Sequence, residues 1–256
     1  MRTPMHDTVP RKASWKSALQ AGWWICLGGA VILVLLPVSV GLGRMLLVAS
    51  IPVLTVGASL LLWSRRWFRW APLVALGATG LFLLAPGRDC DVDRLRSRYI
   101  ASLQRYEGTR YVWGGENRFG IDCSGLVRRG LIDAHLWQGL GTVNPALVRE
   151  AARLWWFDCS ARALKDNYRG WTRLLFTAPA LRDVAPERLL PGDIAVASSG
   201  VHVLVYLGNG EWLQADSTPG KVVRGRPSAD SNKWFAVPVH VLRWRALEGR
   251  MVNPPR

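Results

Sequence analysis

The sequence predicts an α+β domain carried behind three membrane-spanning helices. Three observations lead there. Residues 1–86 hold eight Lys/Arg, a single acid at Asp7 and three long uncharged runs, whereas residues 87–256 hold 25 Lys/Arg and 17 Asp/Glu in a mixture that suits water. Apolar residues recur at helical spacing through the first part of the second region. From Pro191 the apolar period shortens to two, so helices precede an antiparallel sheet, which is the α+β order.

The uncharged runs cover residues 17–43, 45–64 and 70–87. A helix needs roughly 20 apolar residues to cross a hydrocarbon core, and in lipid the backbone must satisfy its own hydrogen bonds. The runs therefore predict helices at about 20–42, 45–63 and 70–86, inside an anchor of residues 1–87. Pro37, Pro52 and Pro72 mark kinks or ends, and Trp23, Trp24, Trp63, Trp67 and Trp70 fall near run ends, where indoles sit at headgroup level. Arg2, Arg11, Lys12 and Lys16 precede the first run and Arg65, Arg66 and Arg69 follow the second, while Arg44 alone lies between the first two. Positive charge favours the cytoplasm, so three crossings place residue 88 onward outside the cytoplasmic membrane.

In the outer domain, residues 88–256, the segment 91–106 puts Leu95, Tyr99, Ile100, Leu103 and Tyr106 on one helical face, ended by Gly108. Residues 109–122 read as a loop rich in glycine. Residues 123–136 read as a helix with Leu126, Val127, Leu131 and Ile132 inward. Asn144 followed by Pro145 is a helix start. Strands are predicted at 193–197, 201–207, 211–215, 221–224 and 234–243, with Gly208, Asn209 and Gly210 as a hairpin turn. Residues 137–188 are expected to form a helical insert whose Trp155, Trp156, Phe157 and Trp171 either roof a cleft or pack the inserted helices.

The net charge of +15 divides into +7 before residue 87 and +8 after it; the second share suits anionic surfaces such as phospholipid headgroups or acidic wall polymers, or is a solvated basic surface. It is scattered and no nucleic-acid motif accompanies it, so no nucleic acid is expected, and the lipid bilayer is the partner that the apolar runs imply. No His/Cys group has metal-ligand spacing and no glycine loop suits a phosphate, so neither metal nor cofactor is expected. Cys26 lies in the first run. Cys90 and Cys159 both lie outside, where a disulfide is chemically allowed.

Cys123 begins a helix after a glycine-bearing loop, with Ser124 and Gly125 as small neighbours. A helix N-terminus favours thiolate and offers N–H groups to an oxyanion, although a buried structural cysteine fits the position alone as well. Of the four histidines, His6 falls on the other side of the membrane, His135 lies twelve residues along the same helix, and His240 is embedded in an apolar strand. His202 stands at a strand start. Across the hairpin turn Gln214 returns as its diagonal neighbour, placed to accept a ring N–H and fix the tautomer.

These segments, Tyr111-Val112-Trp113-Gly114-Gly115, Asp122-Cys123-Ser124-Gly125, Pro191-Gly192-Asp193, the run from His202 to Asn209, and Gln214-Ala215, resemble in order and spacing the NlpC-type cell-wall endopeptidase family of papain-like cysteine hydrolases, over about residues 92–243. The resemblance implies a papain-like fold and a triad of Cys123 as nucleophile, His202 as base and acid, and Gln214 as orienter, where the family often has histidine. It implies Tyr111 at the oxyanion and Asp122 and Ser124 at the free amine of a peptide stem. The implied partner is peptidoglycan or a muropeptide, and the implied reaction is hydrolysis of its stem peptides, usually at the γ-D-glutamyl bond to a diamino acid. A thiol acyltransferase or amidase on a lipid-linked substrate, and an inactive wall-binding scaffold, are the competing readings.

Overall fold

The computed structural model describes residues 15–248; the tail residues Arg2, His6, Arg11 and Lys12 lie outside it. The chain divides into two compact units, one built from residues up to 34 and 45–80, the other from 35–44 and 81 onward.

The first unit carries α1 (Trp15–Leu35), α2 (Gly41–Leu61) and most of α3 (Ala71–Leu84). No residue of α1 is buried although nearly all are apolar, a composition compatible with a membrane span. Trp23 Nε1 donates to the Leu54 carbonyl at 2.9 Å, and Thr55, Ser59 and Thr79 return their hydroxyls to carbonyls one turn back. Two helices, α1 and α2, have the length and composition of a membrane span; the third expected span does not. Helix α3 has 14 residues because proline bounds it on both sides, Pro72 within its first turn and Pro86 just past its end. The first expected span is also cut short at Leu35, before Pro37. Helix α2 starts at Gly41, so Arg44 lies in its first turn and not in a loop.

The second unit is α+β. Helix α4 (Val92–Gln104) begins at Asp91, whose carboxylate accepts from Arg94 N at 3.0 Å. A two-residue hairpin follows, β1 (Glu116–Asn117) and β2 (Gly120–Ile121). Helix α5 (Cys123–Gly141) is the central helix, α6 (Pro145–Trp156) starts behind the Asn144 cap, and α7 (Ala161–Lys165) behind Ser160. The remaining strands are β3 (Thr172–Ala178), β4 (Ile194–Ala197), β5 (Val203–Gly208), β6 (Glu211–Asp216), β7 (Lys221–Gly225) and β8 (Val239–Trp244), in one antiparallel sheet of order β3-β8-β4-β5-β6-β7.

One core lies between α4, α5 and the sheet, filled by Tyr99, Leu103, Leu126, Val127, Leu131, Ile194, Val203 and Leu213. Tyr99 ties its layers together, donating to the Val127 carbonyl and accepting from Trp244 Nε1, both at 3.1 Å. Alternate strand residues Ala195, Leu204, Trp212, Val239 and Val241 bury the opposite face with Leu181 and Phe235.

Two expectations change. The stretch 137–188 is not helical throughout, since it contributes the edge strand β3, whose register shifts between Leu174 and Phe176 and interrupts the alternation. The strand expected from 234 starts at Val239; Lys233–Phe235 is a 3-10 turn capped by Asn232, and Pro238 precedes the strand.

Candidate active site

Asp122 makes the start of α5. Its Oδ1 accepts from Gly125 N at 2.6 Å and from the Ser124 hydroxyl at 3.0 Å, and its Oδ2 accepts from Gly114 N at 2.8 Å. Gly114 has φ +72°, a conformation that glycine reaches freely. Gly125 approaches Gly115 so closely that a Cβ there would lie 2.2 Å from the Gly115 carbonyl oxygen. The cap thus locks the loop before Cys123 to the helix that carries it.

The Gly208–Gly210 turn has positive φ at all three residues, and the register pairs Val205 with Leu213. His202 and Gln214 therefore meet diagonally, with His202 Nε2 and Gln214 Oε1 at 2.7 Å. The amide oxygen only accepts, so Nε2 carries the proton and Nδ1 is the basic nitrogen. Trp234 stacks on the imidazole with centroids 4.1 Å apart and planes 16° from parallel. Its position follows from Asn232, which accepts from Trp234 N at 3.0 Å and donates to Asp216 Oδ2 at 2.9 Å.

Cys123 is 7% exposed and His202 4%. Burial pushes the Cys123 thiol up to about 12, the Asp122 charge adding to it, against backbone N–H groups of Val203, Ser124 and Cys123 that favour thiolate. The Val203 amide adjoins His202, which brings the thiol to the histidine end of β5. Burial pulls His202 down to about 4; Gln214 and the Asp216 charge oppose it, and Lys233 adds to it. The helix-end effect expected to yield a thiolate is thus outweighed by burial. These shifts favour a neutral thiol and a neutral imidazole, groups chemically able to pass a proton from sulfur to nitrogen.

A cleft of about 360 Å³ opens at Cys123, lined by Tyr111, Asp122 and Ser124 together with residues 113–116, 158–162 and 200–201. Burial, then the Cys123, Asp122 and Asp216 charges, push the Tyr111 phenol up to about 12, so it stays a donor at neutral pH. Trp113 stands 79% exposed at the cleft.

Four of the six residues singled out from sequence, Tyr111, Asp122, Cys123 and Ser124, line this cleft; His202 and Gln214 pair with each other and are not among the lining residues, although Gly200 and Val201, just before His202, are. The insert contributes Asp158, Cys159, Ser160, Ala161 and Arg162 to the cleft. Of the two alternatives for its aromatics the structure has packing: Trp155, Trp156, Phe157 and Trp171 are absent from the lining, Trp171 is buried in the core, and Trp155 and Phe157 pack against it. All four cysteines are free, so Cys90 and Cys159 are not joined. Sequence reasoning missed Trp234, Asp216 and the 158–162 wall. Only Asp216 had a readable signal, two residues beyond Gln214 on the same strand face.

Residues 108–242 match the model of the NlpC/P60 family. The chain is 30% identical over 130 residues to peptidoglycan endopeptidase RipB of Mycobacterium tuberculosis, covering 45% of this chain and 41% of RipB. It is 26% identical over 136 residues to murein DD-endopeptidase MepS/murein LD-carboxypeptidase of Escherichia coli, covering 53% and 56%. The solved structure of peptidoglycan hydrolase RipB from M. tuberculosis is 22% identical and covers 59% of this chain and 65% of that one, with a TM-score of 0.37. The chain spans about half the length of the curated relatives it matches.

Proposed function

The chain belongs to the NlpC/P60 family, and from that premise we propose that it is a membrane-anchored cysteine peptidase that hydrolyses stem peptides of bacterial peptidoglycan. The observation that carries the reading is the buried 2.7 Å pair of His202 and Gln214, set beside the cleft into which Cys123 faces at a helix start. The relatives RipB and MepS are named as peptidoglycan and murein endopeptidases, which supports the same substrate class.

The chemistry follows from the groups present. Cys123 Sγ attacks a peptide carbonyl carbon while His202 Nδ1 takes the thiol proton. Gln214 holds the imidazole in that tautomer and stabilises the imidazolium as it forms. N–H groups at the start of α5 and the Tyr111 hydroxyl receive the oxyanion. His202 returns the proton to the leaving amine, then deprotonates the water that opens the thioester. Asp122 already accepts three hydrogen bonds, so it and Ser124 meet a substrate amine as a fixed pair. The bond we propose is γ-D-glutamyl to diamino acid, the one that the resemblance implies.

The anchor reading has its own support. Residues 35–44 hydrogen-bond to the catalytic unit, so they lie on its side of the membrane. On this reading the chain then crosses through α2 and returns through α3, which fits both 35–44 and the residues after α3 belonging to the catalytic unit. Fourteen residues rise about 21 Å, short of a core of about 30 Å, so α3 crosses with its flanking residues and local thinning of the bilayer. With α1 the proposed total is three crossings, and the catalytic unit lies on the outer side of the cytoplasmic membrane. Muropeptide cleavage by the detergent-purified full chain, abolished in Cys123→Ala, tests the function; intact activity in that variant refutes it.

A further inference from the structure

The 114–116 wall of the cleft is held from behind by the short connection between α1 and α2. Glu116 N donates to the Pro37 carbonyl at 2.8 Å, and Val38 pairs with Gly115 in an antiparallel bridge. Asn117 Nδ2 donates to the Leu36 carbonyl at 2.7 Å. Arg44, 2% exposed, donates to the Trp156 carbonyl at 3.1 Å and ion-pairs with Glu116. The same Glu116 oxygen receives Arg128, which also pairs with Asp158 at 2.9 Å and donates to the Leu154 and Phe157 carbonyls, each at 3.2 Å. Two guanidinium groups thus balance two carboxylates across the wall, the start of β1 and the 158 side of the cleft. Removing one member of such a buried set strands the rest, which is costly whatever the net worth of the set.

From this network a short route leads to the thiol. The Gly115 carbonyl accepts from Asp122 N at 3.1 Å and Gly114 N donates to Asp122 Oδ2 at 2.8 Å, so the wall and the cap of the Cys123 helix are one rigid piece. We propose that the α1–α2 connection is a working part of the catalytic unit, and that Arg44 is a positioning residue: through Glu116 it presses the 114–116 wall against the Asp122 cap and so sets the shape of the cleft at Cys123. The proposal rests on the reading of Cys123 as the nucleophile. Its consequence is that the peptidase is complete only when joined to its own membrane helices. A fragment starting at residue 88 lacks Pro37, Val38 and Arg44 and leaves Glu116 with Arg128 alone.

The test uses the full chain in detergent, with active sites counted by alkylation of Cys123 and mapped by peptide mass spectrometry. Arg44→Ala is expected to raise KM for muropeptides about tenfold with kcat per titrated site within about threefold of the parent, as befits a loosened binding wall with an intact triad. The same variant is expected to alkylate at Cys123 several times faster without substrate, because the opened wall uncovers a buried thiol. Arg44→Lys retains the charge and is expected to recover most of KM. Asn117→Ala leaves no buried charge behind, folds without that penalty, and is expected to shift KM the same way by a smaller factor. If Arg44→Ala lowers only the number of titratable sites, with KM and alkylation rate unchanged, Arg44 merely stabilises the fold and the proposal is overturned. If the parent itself cleaves nothing, the peptidase reading fails, while the alkylation comparison still decides whether the connection shapes the cleft.

Discussion

Trp234→Ala is expected to move the acid limb of the activity profile to higher pH. His202 lies at about 4 against an ordinary 6.5, a preference for the neutral ring of roughly 3 kcal/mol at about 1.4 kcal/mol per pH unit. Burial is the leading cause, and Trp234 supplies one of the two covered faces, stacked at 4.1 Å. Replacing the indole with a methyl group lets water reach that face, so a bit under half of the preference, about one pH unit, is expected to disappear. The sign follows directly. In the proposed mechanism His202 acts as a base when unprotonated, so raising its pKa raises the pH below which activity fails. Gln214 and Asp216, which favour the charged ring, stay in place, as does Lys233, which opposes it. The assay is kcat/KM for a defined muropeptide across the acid range, for the full chain and the variants Trp234→Ala and Trp234→Phe. The phenylalanine variant keeps a stacked ring and is expected to keep most of the parental limb. An acid limb that stays put in Trp234→Ala, or moves to lower pH, refutes the argument that burial by Trp234 sets the base.

Gln214→Ala leaves His202 Nε2 buried without an acceptor and frees the ring to rotate; kcat/KM is expected to fall about 10- to 100-fold, read by steady-state kinetics, with little change in KM. His135 is fully buried with Nδ1 donating to the Leu131 carbonyl, and burial holds it at about 4. The unfolded chain takes up protons near 6.5 at both His135 and His202 while the folded chain does not. Stability is therefore expected to be full above 6.5 and to fall as pH drops toward 4, by on the order of 2–3 kcal/mol per histidine. Thermal unfolding against pH checks this, and His135→Leu should remove about half the slope. Gly125→Ala drives a Cβ onto the Gly115 carbonyl, so it is expected to cost about 1–3 kcal/mol and to accelerate Cys123 alkylation.

What was legible in the sequence was local. The place of Cys123 at the start of α5 and the pairing of His202 with Gln214 could be read because a helix start and a glycine hairpin fix those positions within a few residues, while the roles assigned to them came from the resemblance of ordered motifs. The same holds for α4, α6 and the strands β4 to β7, whose caps and alternation are written in neighbouring positions. What could not be read depends on distant partners. Arg44 looks like a charge between two membrane runs until Glu116, 72 residues on, is placed against it. Trp234 looks like a strand residue until Asn232 and Pro238 break the strand and turn it onto His202. Strand β3 was hidden because an edge strand with a bulge loses the period that marks a strand. The helix end that favours a Cys123 thiolate is a local feature and could be read; the burial that opposes it is collective and could not.

The measurement that bears most directly on the account is mass spectrometry of peptidoglycan fragments after digestion by the full chain, beside Cys123→Ala and an untreated control. New fragments are expected whose freed amine belongs to the diamino acid of the stem, absent with Cys123→Ala. Unchanged fragments from a parent protein whose Cys123 alkylates normally, or equal cleavage by Cys123→Ala, would contradict it.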